Sequence, residues 1–178
     1  MRHSTVADVN AAPQTSSPGY LDAAALFRAH GRFVARMLHR SGVTASDVDD
    51  LVQDAFLVAH RRGGFDTGPA KPTTWLAQIA LRIAANYRRR RKHASAPLED
   101  RDVQGGIEAD SNAPTRRAQD ALWKLDEGKR LVFMLFELEG VPCDEIATAL
   151  GIPVGTVYSR LTAARKAFVA AVREETTP

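Results

Sequence analysis

PCDEIATALGIPVGTVYSRLTAARKAF, residues 142–168, spells two helices joined by a tight turn. Ile146, Ala147 and Leu150 place one apolar face on the first helix. Gly151 can take the left-handed conformation that stops it. Pro153 forbids direct continuation, because its ring fixes φ and removes a backbone donor. Gly155 and Thr156 open the second helix, where Val157, Leu161, Ala164 and Phe168 recur at i, i+4, i+7 and i+11. That stripe packs inward. The opposite face carries Thr156, Ser159, Arg160, Thr162, Ala163 and Lys166, which are small, hydrogen-bonding or basic. A helix with small polar residues near its start fits a DNA major groove, so the pattern is that of a helix-turn-helix. An ordinary packed helix pair with a solvated outer face gives the same periodicity, so the rest of the chain has to decide.

The chain has 178 residues, which suits one ordinary domain or two small ones. Hydrophobic residues make up 44% and charged residues 25%, the balance of a water-soluble globular protein. No apolar run approaches the ~20 residues of a membrane span. The start, MRHSTVADVNAAPQTSSPGY, lacks an apolar core of signal-peptide length. A cytoplasmic protein without membrane insertion is expected. The single cysteine, Cys143, excludes an internal disulfide and a multi-cysteine zinc site. Histidines at 3, 30, 39, 60 and 93 fall on different segments without ligand spacing. No nucleophile–base set stands out either, so neither catalysis, a metal nor a cofactor is expected.

Charge is distributed in blocks. Residues 20–93 carry 13 Lys/Arg against 6 Asp/Glu, residues 94–114 carry one Arg against five acids, and residues 115–178 carry nine of each. A basic block, an acidic spacer and a neutral block suggest two domains and a linker, with the basic block as the electrostatic candidate for nucleic acid. Residues 1–19 are rich in Ser, Thr, Ala and Pro and read as a disordered tail. Helices are expected at about 20–40, 47–61, 73–93, 115–125 and 127–139, followed by the pair already described. Ser46 or Asp47 serves as the cap of the second. The segment 94–114, with its prolines, its Gly105-Gly106 pair and its acids, reads as a flexible linker. No segment alternates as a strand would, so the fold class is all-α.

In helix 47–61, Val48, Leu51, Val52, Ala55, Phe56 and Ala59 form the core stripe. The other side carries Asp49, Asp50, Gln53, Asp54, Leu57 and His60. Carboxylates near a helix start are favoured by the helix dipole, which accounts for Asp49 and Asp50 as structure alone. Leu57 among polar residues is not accounted for that way. An acidic patch with an apolar centre suits a basic helical partner. In helix 73–93, Leu76, Ile79, Ala80, Ile83 and Tyr87 point to the core, while Gln78, Arg82, Ala85, Asn86 and Arg89 share another face. The helix ends in five successive cations, 88–92, which point all round its axis. They can engage phosphates and release counterions; helix-dipole complementation explains one or two cations better than five. Trp75 reads as core or as a stacking surface for an unpaired base. Thr73 and Thr74 read as caps or phosphate ligands.

Taken together these segments resemble the sigma-70 family of bacterial transcription factors, in its compact extracytoplasmic-function (ECF) subgroup. DVDDLVQDAFLVAHR at 47–61 resembles the family's polymerase-binding helix, and TTWLAQIALRIAANYRRRRK at 73–92 resembles the helix that follows it. LDEGKRLVFMLFELEGVPCDEIATALGIPVGTVYSRLTAARKAF at 125–168 resembles the family's second domain. Either motif alone is moderately specific; both in this order across a short linker are highly specific.

The resemblance implies two small helical domains: a sigma region 2 bundle over 20–93 and a sigma region 4 helix-turn-helix over 115–173, joined by the acidic linker. It implies binding to core RNA polymerase through its β′ and β subunits, promoter DNA as ligand, and an anti-sigma factor as a regulatory partner. Asp49, Asp50, Gln53, Asp54 and Leu57 match the face that meets a basic coiled coil of β′. Thr74, Trp75, Gln78, Arg82, Asn86, Arg89 and Arg90 match the side that captures the melted −10 element. Thr156, Tyr158, Ser159, Arg160, Thr162, Ala163 and Arg165 fall where the recognition helix meets the −35 element. Some positions depart from the family pattern. Arg82 stands where many members have asparagine, Pro72 replaces a common phenylalanine, Thr162 and Ala163 replace larger or basic residues, and Cys143 stands where an aromatic is usual. The competing reading is a stand-alone helix-turn-helix regulator in which the first domain is an input or dimerisation module.

Overall fold

A computed structural model describes residues 20–68, 70–94 and 113–174. The expected tail, 1–19, and most of the expected linker, 95–112, lie outside the described residues.

Three helices build the first domain: α1, Ala23–Arg40; α2, Ala45–Arg61; and α3, Pro72–Ala94. α1 opens on Asp22, whose carboxylate accepts a hydrogen bond from the Ala25 amide at 2.7 Å and so satisfies one orphan donor of the first turn. The helix starts here and not at Tyr20, because Tyr20–Leu21 is a short strand, β1, paired antiparallel with β2, Phe65–Asp66. Two residues per strand are too few to alternate, so this ribbon leaves no periodic signal. Gly64 makes it possible: its φ is +87°, and a Cβ there would meet the Leu21 carbonyl oxygen at 2.6 Å. The Tyr20 hydroxyl closes the ribbon by donating to the Gly63 carbonyl.

α2 begins two residues before the expected start, with Thr44 as its cap residue in extended conformation. Asp47 therefore lies inside the first turn and is used differently. Its carboxylate accepts from the Tyr87 hydroxyl of α3 at 2.7 Å and from Thr44 at 2.9 Å, tying the start of α2 to α3. The expected core stripes of both helices are turned inward: Val52, Ala55, Phe56 and Ala59 of α2 and Leu76, Ile79 and Ala80 of α3 are buried. Truncating a fully buried leucine such as Leu76 to alanine costs about 2–5 kcal/mol.

The second domain comprises α4, Ala113–Lys124; α5, Glu127–Phe133; α6, Cys143–Leu150; and α7, Val154–Glu174. Asp126 caps α5 by accepting from the Lys129 amide at 2.9 Å. Five successive residues, 131–135, are buried, so the chain is enclosed on all sides where α5 runs into the turn that follows. The expected single helix 127–139 is not uniformly α: Met134–Leu138 widens into a π-turn, in which the Glu139 amide reaches the Met134 carbonyl at 3.2 Å. Gly151 ends α6 at φ +62°, and the Ile152 amide closes back on the Ala147 carbonyl at 3.1 Å. α7 packs by Val157, Leu161 and Ala164, with Phe168 against Phe133 at a centroid distance of 4.9 Å.

The two domains touch. α4 and the π-turn sit at the C-terminal end of α1, α6 lies against α3, and one apolar cluster runs from Leu26 to Ala164 through both domains. Charge blocks in the sequence had separated the domains without suggesting this contact.

Candidate functional site

α2 presents the acidic face as expected. Asp49, Asp50, Gln53, Asp54 and Leu57 are all exposed, and among the described residues none of the three carboxylates is in an ion pair. Leu57 keeps 50% of its surface in contact with solvent, although it sits one residue from the buried Phe56. This is the unexplained leucine of the sequence, and its position follows from helix geometry: the residue after a core position points sideways, about 100° round the axis. Beside this face a shallow groove of about 340 Å³ runs between α1 and α2, lined by Arg36, His39, Arg40, Val48 and Asp49. Phe27 of α1 was not singled out from the sequence. It is 49% exposed and rests edge-on against Phe56, with centroids 5.1 Å apart.

α3 sorts its polar residues by direction. Gln78, Arg82, Asn86, Arg89 and Arg90 are exposed, and the first four follow a single stripe of the helix. The Arg89 guanidinium donates to the Asn86 amide oxygen at 2.8 Å, which fixes both side chains on that stripe. Trp75 is half-buried and packs at a tilt against Phe65 of the ribbon, centroids 5.5 Å apart, so it is both core and partly open. Thr74 is placed differently from the expectation of a surface ligand. It is 1% exposed, and its hydroxyl has no hydrogen-bond partner. The five-cation run divides as its spacing requires. Arg88 pairs with Asp120 at 2.7 Å, and Arg91 donates to the Tyr87 hydroxyl at 3.1 Å and lies over that ring. Arg89, Arg90 and Lys92 stay exposed at the surface.

On α7, Tyr158, Ser159, Thr162 and Ala163 are exposed on the outer face, Tyr158 to 58%. Thr156 is half-buried at the helix start, where its amide donates to the Pro153 carbonyl at 2.9 Å. Arg160 is half-buried and leans toward the start of α5, where Asp126 lies; a Cβ on Gly128 would sit 3.6 Å from its guanidinium. Arg165 is held by Glu137 at 2.5 Å and lies over the Phe136 ring at 5.4 Å. Of the seven expected contact residues, four thus stand on the outer surface, and Arg165 is anchored to the domain's own acid Glu137. Asp126 itself is held below the usual carboxylate range, chiefly by its hydrogen bonds from Lys129. Cys143 is buried at the start of α6, and that burial pushes its thiol up. A covered thiol disfavoured as thiolate suits a small packing residue at a helix start. Among the described residues no group of His, Cys, Asp and Glu could hold a metal ion, and no helix is long and apolar enough to cross a membrane.

A helical bundle carrying one acidic and one basic face, followed by a helix-turn-helix, is the architecture of sigma-70 proteins. Residues 26–94 match the family model for Sigma-70 region 2, and residues 115–168 match that for Sigma-70, region 4. The ECF RNA polymerase sigma factor SigM of Mycobacterium tuberculosis is 35% identical over 142 residues, 79% of this chain and 71% of that protein. The solved structure of CnrH in complex with the cytosolic domain of CnrY superposes with a TM-score of 0.58 at 28% identity, covering 85% of this chain and 88% of CnrH. The sigma factor RpoE of Bartonella quintana, solved with the anti-sigma factor NepR, shares the fold at 18% identity and a TM-score of 0.53, over 83% of this chain and 94% of that one. The chain belongs to the sigma-70 family, in its ECF group. It is an alternative sigma factor, a member of a class of proteins that are in general not enzymes.

Proposed function

We propose that this sigma factor docks on core RNA polymerase through Asp49, Asp50, Gln53, Asp54 and Leu57, takes up the melted −10 element on α3, and reads the −35 element in duplex form with α7. The domain limits that serve this division are 20–93 and 115–173. The observation that carries the reading is the pair of oppositely charged surfaces on one small bundle: an unpaired acidic face centred on a half-exposed leucine, and a basic stripe on the neighbouring helix. The first suits a basic coiled coil such as that of β′, because charge complementarity steers encounter and the leucine supplies buried apolar area. The second suits an unpaired strand, with Gln78, Arg82, Asn86, Arg89 and Arg90 toward backbone and base edges and the open part of Trp75 as a stacking surface. Tyr158, Ser159, Thr162 and Ala163 face the groove, with Thr156, Arg160 and Arg165 toward its phosphates. Thr74, buried at the start of α3, contributes from within the bundle and not by touching DNA. The protein acts in the cytoplasm, where its polymerase is, without catalysis of its own. An anti-sigma factor that covers these faces keeps it inactive.

Transcription in vitro tests this. Core polymerase supplemented with the protein should initiate at a defined set of promoters from its own genome, and core alone should not. Asp50→Arg and Leu57→Ala should each weaken core binding about tenfold or more, the loss expected for a central interface residue, with helix content unchanged. A stand-alone regulator would keep full operator binding in both variants and need no polymerase; that result overturns the proposal.

A further inference from the structure

Residues 62–71 carry the chain from the end of α2 to the start of α3, and their course decides how Trp75 stands. Two glycines open this connection. Gly63 and Gly64 have φ of +84° and +87°, and their amides fold back to the His60 carbonyl at 2.9 Å and the Ala59 carbonyl at 3.0 Å. From Arg62 to Gly68 only Phe65 is buried. Its ring packs against Trp75, centroids 5.5 Å apart, at an interplanar angle of 50°. Thr74 adds no side-chain cap to the start of α3, because its hydroxyl has no hydrogen-bond partner. The pose of the indole therefore leans on Phe65.

What holds Phe65 is β1. Leu21 is its register partner, and Tyr20 pairs with Asp66. A ribbon of two residues a side is too short to stand by itself. This one is fixed at both ends. Leu21 packs on the core and runs straight into Asp22, the cap of α1, whose carbonyl accepts from the Leu26 amide at 2.9 Å. On the far side the Tyr20 hydroxyl donates to the Gly63 carbonyl. Approach is so close at Gly64 that a Cβ would stand 2.6 Å from both the Leu21 carbonyl oxygen and the Tyr20 hydroxyl. α1 thus serves as a rigid base, β1 as a brace, and Phe65 as the point where the brace bears on Trp75. Simple fastening of the segment before α1 accounts for the backbone pairing. It does not account for Phe65 carrying that pairing to a half-exposed tryptophan.

We infer that β1 is a positioning element for promoter melting: through Tyr20, Gly64 and Phe65 it sets the pose of Trp75 as the stacking surface for the −10 strand. The inference rests on the reading of α3 as the −10 surface. Tyr20 and Phe65 are positioning residues, since they act through Trp75. Stacking needs a base-sized face held at one angle, and a ring that must first be ordered gives up part of the contact's free energy. The brace supplies that order before the strand arrives. Its effect falls on melting and on base preference, and not on attachment to polymerase, whose docking face is on α2.

Holoenzyme at a promoter that it opens tests the brace. Gly64→Ala puts a methyl group into the ribbon; Tyr20→Phe removes only the donor and leaves the ring. Both should keep core binding and helix content. Gly64→Ala should lower the yield of open complex, read by permanganate on unpaired thymines, by about tenfold, the scale of one lost base-stacking contact. Preference for the native −10 sequence over a substituted one should fall by a similar factor. Tyr20→Phe should move both readouts the same way by a smaller factor. In a Trp75→Leu background neither substitution should change opening further by more than about twofold, because residues acting through one contact do not add. Core binding that falls in step with opening in both variants, opening and preference unchanged in both, or a full effect in the Trp75→Leu background overturns the inference. The free chain supplies a second readout. With Trp123→Phe, Trp75 is the sole tryptophan, and acrylamide should quench it more readily in Gly64→Ala and Tyr20→Phe. Equal quenching overturns the brace. That measurement needs no polymerase, so a chain that shows the quenching difference yet never binds core keeps the brace and loses the sigma role.

Discussion

Asp47 shows how much a single polar residue does in this fold. The Tyr87 hydroxyl, first, and Thr44, second, hold its carboxyl below the usual carboxylate range. A depressed carboxylate contributes stability that is present above the usual range and is lost as pH falls through its lowered pKa. Tyr87→Phe removes the larger cause, so the Asp47 carboxyl should titrate at higher pH in the variant, read by NMR on its side-chain carbon, and acid unfolding should begin earlier. At Cys143 the burial that raises the thiol makes the opposite kind of prediction. A thiol reagent at neutral pH should modify the native chain at least about a hundredfold more slowly than the urea-unfolded chain, since the thiolate is the reactive form and the native site is covered. Reaction at similar rates would mean the site opens readily. A lone cysteine near a helix start reads as a small packing residue in the sequence already, whereas the role of Asp47 does not. Asp47 looked like a cap, and only the placement of Tyr87 forty residues away makes it a tie between helices.

At the scale of elements, the turn between α6 and α7 depends on one backbone conformation. Gly151 has φ +62° with open space where a Cβ would stand, so substitution meets no clash and the whole cost is the left-handed strain of a residue with a side chain. Gly151→Ala should lower stability by about 1 kcal/mol, measured by urea unfolding, and a loss above about 3 kcal/mol would mean the turn does more than stop a helix. Helix positions and apolar stripes were legible because 3.6-residue periodicity is written locally: the buried faces of α2, α3 and α7 are those the spacing of Val52, Leu76 and Val157 predicts. Two features were not. The ribbon of Tyr20–Leu21 with Phe65–Asp66 pairs segments too short to carry a period. The π-turn at Met134–Leu138 depends on how an enclosed helix ends beneath its neighbours, which no local pattern encodes. Thr74 is a third case: it reads as an exposed cap, and tertiary packing buries it.

For the whole molecule, the separation of charge predicts how the free protein meets DNA. Duplex promoter binding by the isolated chain should be weak and steeply salt-dependent, because cations supply most of the affinity and the domains are not held at promoter spacing. Arg89→Ala should reduce the slope of log K against log salt by about 1, as loss of one phosphate contact does. Tight binding that ignores salt would count against the arrangement.

By itself the sequence determined the all-helical class, the division into a basic bundle and a helix-turn-helix, and the faces carrying Asp50, Leu57, Arg82 and Ser159, because amphipathic spacing and local charge are properties of neighbouring residues. Tertiary structure alone decided which cations stay free. Arg88, Arg160 and Arg165 read the same as Arg89 and Arg90 in one dimension, yet the first three are engaged or turned inward by Asp120, the start of α5 and Glu137. It alone also decided that Glu139 meets Arg36 and Arg40 across about a hundred residues of chain. Such contacts depend on how two packed bodies meet, and the free energy of that meeting is not written in the period of either one.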